Sequence, residues 1–285
     1  MSEALHILTI SCNDQPGIVS GVTGILFESG SNIREATQFE DSETGQFFMR
    51  VLFTMADAAV GSVTERLGGL ADRYQMKWSI RRADRRPKVL LLVSKFDHCL
   101  ADLLYRQRIG ELTMDVVGIV SNHPITTFAG LDLGDVPFHY LPVTPATKAP
   151  QEAQIKQVVQ DSGAELVVLA RYMQILSDDL AGFLTGRCIN IHHSFLPGFK
   201  GAKPYHQAHA RGVKMIGATA HYVTADLDEG PIIAQDVEHV THADSPEALV
   251  RKGRDIERRV LARAVRQHLA DRVLLNGTKT VVFND

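Results

Sequence analysis

Asn190-Ile191-His192-His193-Ser194-Phe195-Leu196-Pro197 holds the residues best suited to chemistry: an amide and imidazoles beside a Pro-Gly turn. A hydrophobic strand, Arg187 to Ile191, is predicted to deliver them. Downstream, His221-Tyr222-Val223-Thr224-Ala225-Asp226-Leu227-Asp228-Glu229-Gly230-Pro231-Ile232-Ile233 reads as strand, acidic loop and second apolar strand. An amide polarises a carbonyl, an imidazole moves a proton and a carboxylate orients the imidazole. Together these are the parts of acyl chemistry.

Positioning such groups takes a packed scaffold, and the composition allows one. The chain has 285 residues, 45% hydrophobic and 22% charged, enough for one large domain or two smaller ones. A net charge of -3 gives no general attraction to nucleic acid or to an anionic membrane. No apolar run has the length of a membrane span. The start, MSEALHILTISC, lacks a basic region and a cleavage site, so no signal peptide is expected. Cys12, Cys99 and Cys188 are far apart and form no Cys-x-x-Cys pair. That excludes a zinc ribbon and suits buried thiols in a reducing, cytoplasmic setting.

The first eighty residues read as a βαββαβ unit, with strands at His6–Ser11, Ile33–Phe39, Phe47–Phe53 and about Lys77–Ile80. Helices are predicted through Ile18 to Leu26, opened by Asp14-Gln15-Pro16-Gly17, and from about Ala58 to Arg73. The segment Arg81-Arg82-Ala83-Asp84-Arg85-Arg86-Pro87 interrupts the apolar pattern. Residues 83–87 are read as a linker between a first domain, 1–82, and a second, 88–285. Beyond it, Val89–Val93, Val116–Val120, Leu166–Leu169 and Cys188–Ile191 are short continuous apolar runs, as in strands buried on both faces of a parallel sheet. Helices are predicted at Leu100–Ile109, Gln151–Asp161, Ser177–Leu184 and Pro246 to about Ala270. The fold class is therefore α/β: a ferredoxin-like unit, then an open, mostly parallel, Rossmann-like domain. Ligands bind at the carboxyl ends of such strands, where Asn190 and His192 fall.

On Asp14-Gln15-Pro16-Gly17-Ile18 and Asn32-Ile33, the first unit resembles an ACT domain, a module that often binds amino acids. The resemblance implies an effector site at Asp14, Gly17, Ile18 and Asn32. A ligand-free module that only dimerises is the other reading. On Asn190-Ile191-His192, Ser194-Phe195-Leu196-Pro197, His221 and Asp228-Glu229-Gly230-Pro231-Ile232-Ile233, residues 88 to about 283 resemble the formyltransferase fold that uses 10-formyltetrahydrofolate. That resemblance implies catalysis by Asn190, His192 and Asp228. It also implies substrate binding by Met173, Gln174, Ile175, Leu176, His221, Ala225, Asp226 and Leu227. The two modules in this order, with Leu169-Ala170-Arg171-Tyr172-Met173-Gln174-Ile175-Leu176, resemble the formyltetrahydrofolate deformylases. That family hydrolyses 10-formyltetrahydrofolate to tetrahydrofolate and formate.

The resemblance implies regulation of the one-carbon pool, formate for purine synthesis, glycine or methionine as effector, and a homo-oligomer. It implies no metal and no cofactor, the folate being the substrate. A formyltransferase acting on an amine such as glycinamide ribonucleotide is the alternative. Such transferases cradle a phosphate in a Gly/Ser-rich loop. Here Ser94-Lys95-Phe96-Asp97-His98-Cys99 has no glycine. A tRNA formyltransferase is disfavoured by the lack of a basic excess and of a further C-terminal domain. A binding protein with a retired site is disfavoured by the intact amide, imidazole and carboxylate.

Bland readings stand beside these. Adjacent strand residues point to opposite faces, so His193 is read as structural rather than as a metal ligand with His192. His221 is either a core histidine or a support for catalysis. Asp226 and Glu229 solvate their loop, with a pterin contact open to Asp226. His206 and His209 are read as a surface face with no third metal ligand. Arg251-Lys252-Gly253-Arg254 is the wet face of a helix, or a weak attractor for a polyglutamate tail.

Overall fold

The computed structural model describes residues 3–196 and 204–284. The chain divides into two compact units. The first contains β1 (Glu3–Asn13), α1 (Ile18–Glu28), β2 (Asn32–Asp41), β3 (Gln46–Ala56), α2 (Val60–Tyr74) and β4 (Lys77–Arg82). Its sheet has the order β2-β3-β1-β4, all antiparallel. Alternating burial along β1 turns Leu8, Ile10 and Cys12 onto a core with Ile18, Val22, Leu26, Val63 and Leu67 from the two helices. Gly17 opens α1 with φ +98, a conformation glycine adopts without strain.

The second unit contains β5 (Lys88–Val93), α3 (His98–Arg108), β6 (Asp115–Ser121), β7 (Phe138–Tyr140), α4 (Lys148–Ser162), β8 (Leu166–Leu169), α5 (Asp178–Phe183), β9 (Cys188–His192), α6 (Pro204–Arg211), β10 (Met215–Tyr222), β11 (Ile232–His239) and α7 (Pro246–Leu269). The sheet order is β11-β10-β9-β8-β5-β6-β7, with β5 to β9 parallel and β10 and β11 antiparallel. The chain leaves β5 in one direction through β6 and β7, then returns to β8 on the other side. That reversal opens a crevice at the carboxyl ends of β5 and β8. Every residue of β8 is buried, as its continuous apolar run requires. β7 is too short for its pattern to show in the sequence.

The C-terminal boundary corrects the sequence reading. Ala270–Asn276 and Thr280–Asp285 group with the first unit, not the second. β12 (Val273–Asn276) and β13 (Lys279–Val282), unforeseen in the sequence, form a two-stranded hairpin. The cause is ionic. Arg50 donates to the Ala270 carbonyl at 3.1 Å and to Glu35 at 3.1 Å, and Arg272 meets the same Glu35 at 3.0 Å. Arg81 pairs with Asp271 at 2.5 Å. The expected linker arginines are also engaged: Arg82 pairs with Asp84 at 2.7 Å and Arg86 with Asp115 at 2.6 Å.

The Arg50 side chain is 3% exposed, and burial together with the charge of Arg272 lowers its pKa. Glu35 is thus the shared counter-charge of two arginines. Glu35→Ala should cost about 3 kcal/mol, read as a lowered denaturant midpoint of the full chain. An unchanged midpoint would show that the cluster does not hold the C-terminal segment.

Candidate active site

Pairing of β9 with β10 sets Asn190 directly opposite His221 and His192 opposite Thr219. Asn190 Nδ2 lies 3.3 Å from His221 Nε2. His221 Nδ1 donates to the Tyr222 carbonyl at 2.9 Å, so Nε2 is the acceptor and the Asn190 amide the donor. A bulge between Ala220 and His221 re-aims the end of β10. The following loop carries Asp228 in a left-handed conformation, φ +58, which aspartate tolerates better than most residues. Asp228 thereby reaches both strands: Oδ2 is 3.2 Å from His192 Nδ1, and Oδ1 is 3.6 Å from His221 Nε2. Burial works to raise the Asp228 pKa. The hydrogen bond from His192 outweighs it and holds the carboxyl well below the usual range. His192 Nε2 is enclosed and has no protein partner.

The structure therefore brings Asn190, His192 and Asp228 together. It places His221 among them, 2% exposed, with both ring nitrogens facing protein groups. His221 orients the amide. Ala225, Asp226 and Leu227 are exposed on the loop before Asp228. Asp226 gives its carbonyl to Thr224 Oγ1 at 3.1 Å and to the Glu229 amide at 3.3 Å.

Met173–Leu176 follow β8 in an extended segment pinned at both ends. The Met173 amide donates to Ser94 Oγ at 2.9 Å, and the Ser177 amide donates to the buried Glu152 at 2.9 Å. Gln151 donates to Tyr172 Oη at 2.7 Å. Met173 and Ile175 are consequently held out, 47% and 59% exposed. Ser94, Gln151 and Glu152 were not singled out in the sequence, because nothing local marks a buried polar residue as an anchor.

A second cluster was also missed. Glu257 on α7 accepts from His98 Nε2 at 2.8 Å and from Tyr205 Oη at 2.6 Å, with Arg171 Nε at 3.3 Å. Burial opposes its charge, but His98 and Arg171 prevail and its pKa is lowered. Gly253 makes this possible, since a Cβ there would lie 2.1 Å from the Tyr205 ring. Arg171 and Arg254 face the Phe96 ring at 5.8 and 5.9 Å. His98, Cys99 and Glu257 are close enough to share a metal ion. The Arg171 guanidinium already compensates that carboxylate, so the donor set does not fit a cation well.

His206 and His209 are exposed on α6, and Lys252 pairs with Asp244 at 3.2 Å on the wet side of α7. Pro197 and Lys203, parts of the sequence motifs, lie outside the described residues. In the first unit a cavity is lined by Asp14, Gly17 and Ile18 together with Gln38, Phe39 and Phe47. Asn32 is not among its lining residues; it opens β2 opposite Thr54.

The formyl transferase family model matches residues 87–265 and the ACT domain model residues 6–71. Fold and site thus define a formyl transferase-type catalytic unit joined to an ACT unit. A formyltetrahydrofolate deformylase of Corynebacterium sp. (strain P-1) is 49% identical over 99% of this chain and 100% of its own. The solved formyltetrahydrofolate deformylase of Burkholderia mallei is 53% identical, covers 99% of this chain and 100% of its own, and has a TM-score of 0.93. Glycinamide ribonucleotide transformylase 1 of Symbiobacterium toebii is 29% identical over 70% of this chain and 95% of its own, with a TM-score of 0.62. The chain belongs to the formyltetrahydrofolate deformylase family.

Gly230 supports the whole arrangement. A Cβ there would lie 1.8 Å from the Tyr222 carbonyl oxygen and 3.3 Å from His221 Nδ1. Gly230→Ala must therefore displace the loop that carries Asp228. Turnover should fall by about 10²-fold, the scale of an ångström misplacement. Steady-state kinetics on a variant with native circular dichroism checks this, and unchanged turnover would refute it.

Proposed function

We propose that this chain hydrolyses 10-formyltetrahydrofolate to tetrahydrofolate and formate. The observation that carries the reading is the cluster at the strand ends in which Asp228 lies beside His192 and His221, and His221 beside Asn190, in a chain alike over its full length to named deformylases. Transfer to an amine acceptor is not favoured. The transformylase neighbour matches 70% of the chain, and Ser94 to Cys99 offer no glycine-rich nest for a phosphate.

The mechanism follows from the tautomers. Asp228 accepts a hydrogen bond from His192 Nδ1–H, which leaves Nε2 as a bare acceptor for a proton of water. Asn190 gives one amide hydrogen to His221. The other is directed to the formyl oxygen, whose charge grows as the tetrahedral intermediate forms. Asp228 stabilises the imidazolium, which then protonates N10 as the amine leaves. Met173, Gln174, Ile175 and Leu176, with Ala225, Asp226 and Leu227, form the folate contacts. The reading calls on no metal and no cofactor. His192→Ala and Asp228→Asn should each reduce kcat by at least about 10², in an acceptor-free assay that quantifies formate and tetrahydrofolate. Near-normal turnover in either variant would remove the assignment.

The cavity at Gly17 supports an amino-acid effector, glycine or methionine, with the Asp14 carboxylate facing its ammonium group. The unpaired edge of β2 and the exposed Phe39 support assembly into a homo-oligomer. Among the described residues no helix is long and apolar enough to cross a membrane. The three free, buried cysteines support a cytoplasmic setting, where released formate would feed purine synthesis. Asp14→Ala should weaken binding of the amino acid by at least about tenfold, the loss of a charge-assisted hydrogen bond. Calorimetry on the full chain measures this, and undiminished affinity would place the effector elsewhere.

A further inference from the structure

We propose that His193 is a second imidazole of the catalytic centre and holds the attacking water against His192. The proposal rests on Asn190, His192 and Asp228 being the catalytic group.

β9 ends at His192, so the alternation that separates neighbours on a strand does not extend to His193. The two rings lie side by side, centroids 5.1 Å apart and inclined at 41°. His192 Nε2 is enclosed without a protein partner. No hydrogen bond of His193 is seen among the described residues, and its ring packs against those of His192 and Tyr205. Two imidazole rings thus lie against each other just past the strand end, with His192 Nε2 left without a protein partner.

The surroundings fix this ring. On its far side His193 packs edge-on against Tyr205, centroids 6.4 Å apart. Tyr205 is tied to the buried Glu257, which is tied in turn to His98 and Arg171. The backbone beyond is clamped at Thr219, which donates to the Ser194 carbonyl at 3.0 Å and accepts from the Leu196 amide at 3.0 Å. Burial, then the positive charges of Arg171 and His192, push the His193 pKa down to about 4, while Glu257 and Asp228 act the other way. The ring is therefore neutral at ordinary pH and keeps one bare nitrogen.

A water with one hydrogen on His192 Nε2 and the other on the bare nitrogen of His193 presents a lone pair to the formyl carbon. As the C–O bond forms, the water O–H bond to His192 breaks and the carbonyl π pair moves to oxygen. Collapse restores the π bond and breaks C–N. The electron pair leaves on N10, which takes the proton from His192. Formic acid then releases its proton to solvent. His193 gains and loses nothing; it aligns the nucleophile.

The test uses full-length His193→Leu, His193→Gln and His192→Ala, with hydroxylamine as a second nucleophile that needs no base. His193→Leu should lower kcat by about 10²-fold with tetrahydrofolate affinity unchanged. His193→Gln, whose amide oxygen also accepts from water, should retain turnover within about tenfold of wild type. Hydroxylamine should restore deformylation, as formohydroxamate, to His193→Leu. It should not restore His192→Ala, which lacks the acid for N10. Should the leucine variant not fold, the ratio of hydroxylamine-driven to water-driven deformylation in His193→Gln decides, and it should exceed the wild-type ratio. Normal turnover in His193→Leu, failure of hydroxylamine to restore it, or an unchanged ratio in the glutamine variant would overturn the proposal. Normal turnover in His192→Ala would instead remove the underlying assignment.

Discussion

One charge organises the catalytic unit: the Asp228 carboxylate between His192 and His221. The two imidazoles come from adjacent antiparallel strands, and their spacing follows from the β9–β10 register. The carboxylate comes from a loop that needs a left-handed aspartate and a side-chain-free Gly230 to reach them. A depressed carboxyl pKa means that this stabilisation is complete above the ordinary value of about 3.9 and is lost only as pH falls toward the folded value. The anion is thus present wherever the imidazole can act as a base. Through it, His192 is held in one tautomer, while His221, fixed by the Tyr222 carbonyl, holds the Asn190 amide in one orientation.

A second buried charge, Glu257, limits how the neighbouring crevice can be filled. Burying a carboxylate that completely is costly unless every lone pair is answered. Here His98 from α3, Tyr205 from α6 and Arg171 from the end of β8 answer it. Such a cluster adds little net stability but admits few alternative packings. Its consequence is local: the Tyr205 ring, seated over Gly253, becomes a fixed wall for His193.

Much of this was legible from the chain. Continuous apolar runs identified β5, β6, β8 and β9 because parallel strands bury both faces. Asn190, His192 and Asp228 were legible because strand ends and a Gly-Pro turn bracket them. What escaped depends on long-range contacts. His98, Arg171, Tyr205 and Glu257 belong to four elements, and no window of sequence contains more than one of them. The docking of residues 270–285 turns on Glu35, an ordinary surface charge by its neighbours. The placing of His193 was not legible for a physical reason: β9 ends at His192 and the backbone bends there, so the period-two alternation of a strand does not reach His193.

The choice between hydrolysis and transfer comes down to what the acceptor brings. An amine acceptor carries its own handles, often a phosphate, and the protein positions it by binding those. Water carries two hydrogens and no handle, so the site must supply the whole alignment through hydrogen-bond acceptors around one small volume. A single imidazole fixes one direction and leaves the water free to rotate about it; a second acceptor removes that freedom and gives the lone pair a defined aim. A chain without a phosphate nest after β5, but with paired histidines at the end of β9, is arranged for the nucleophile that needs the most positioning and the least space.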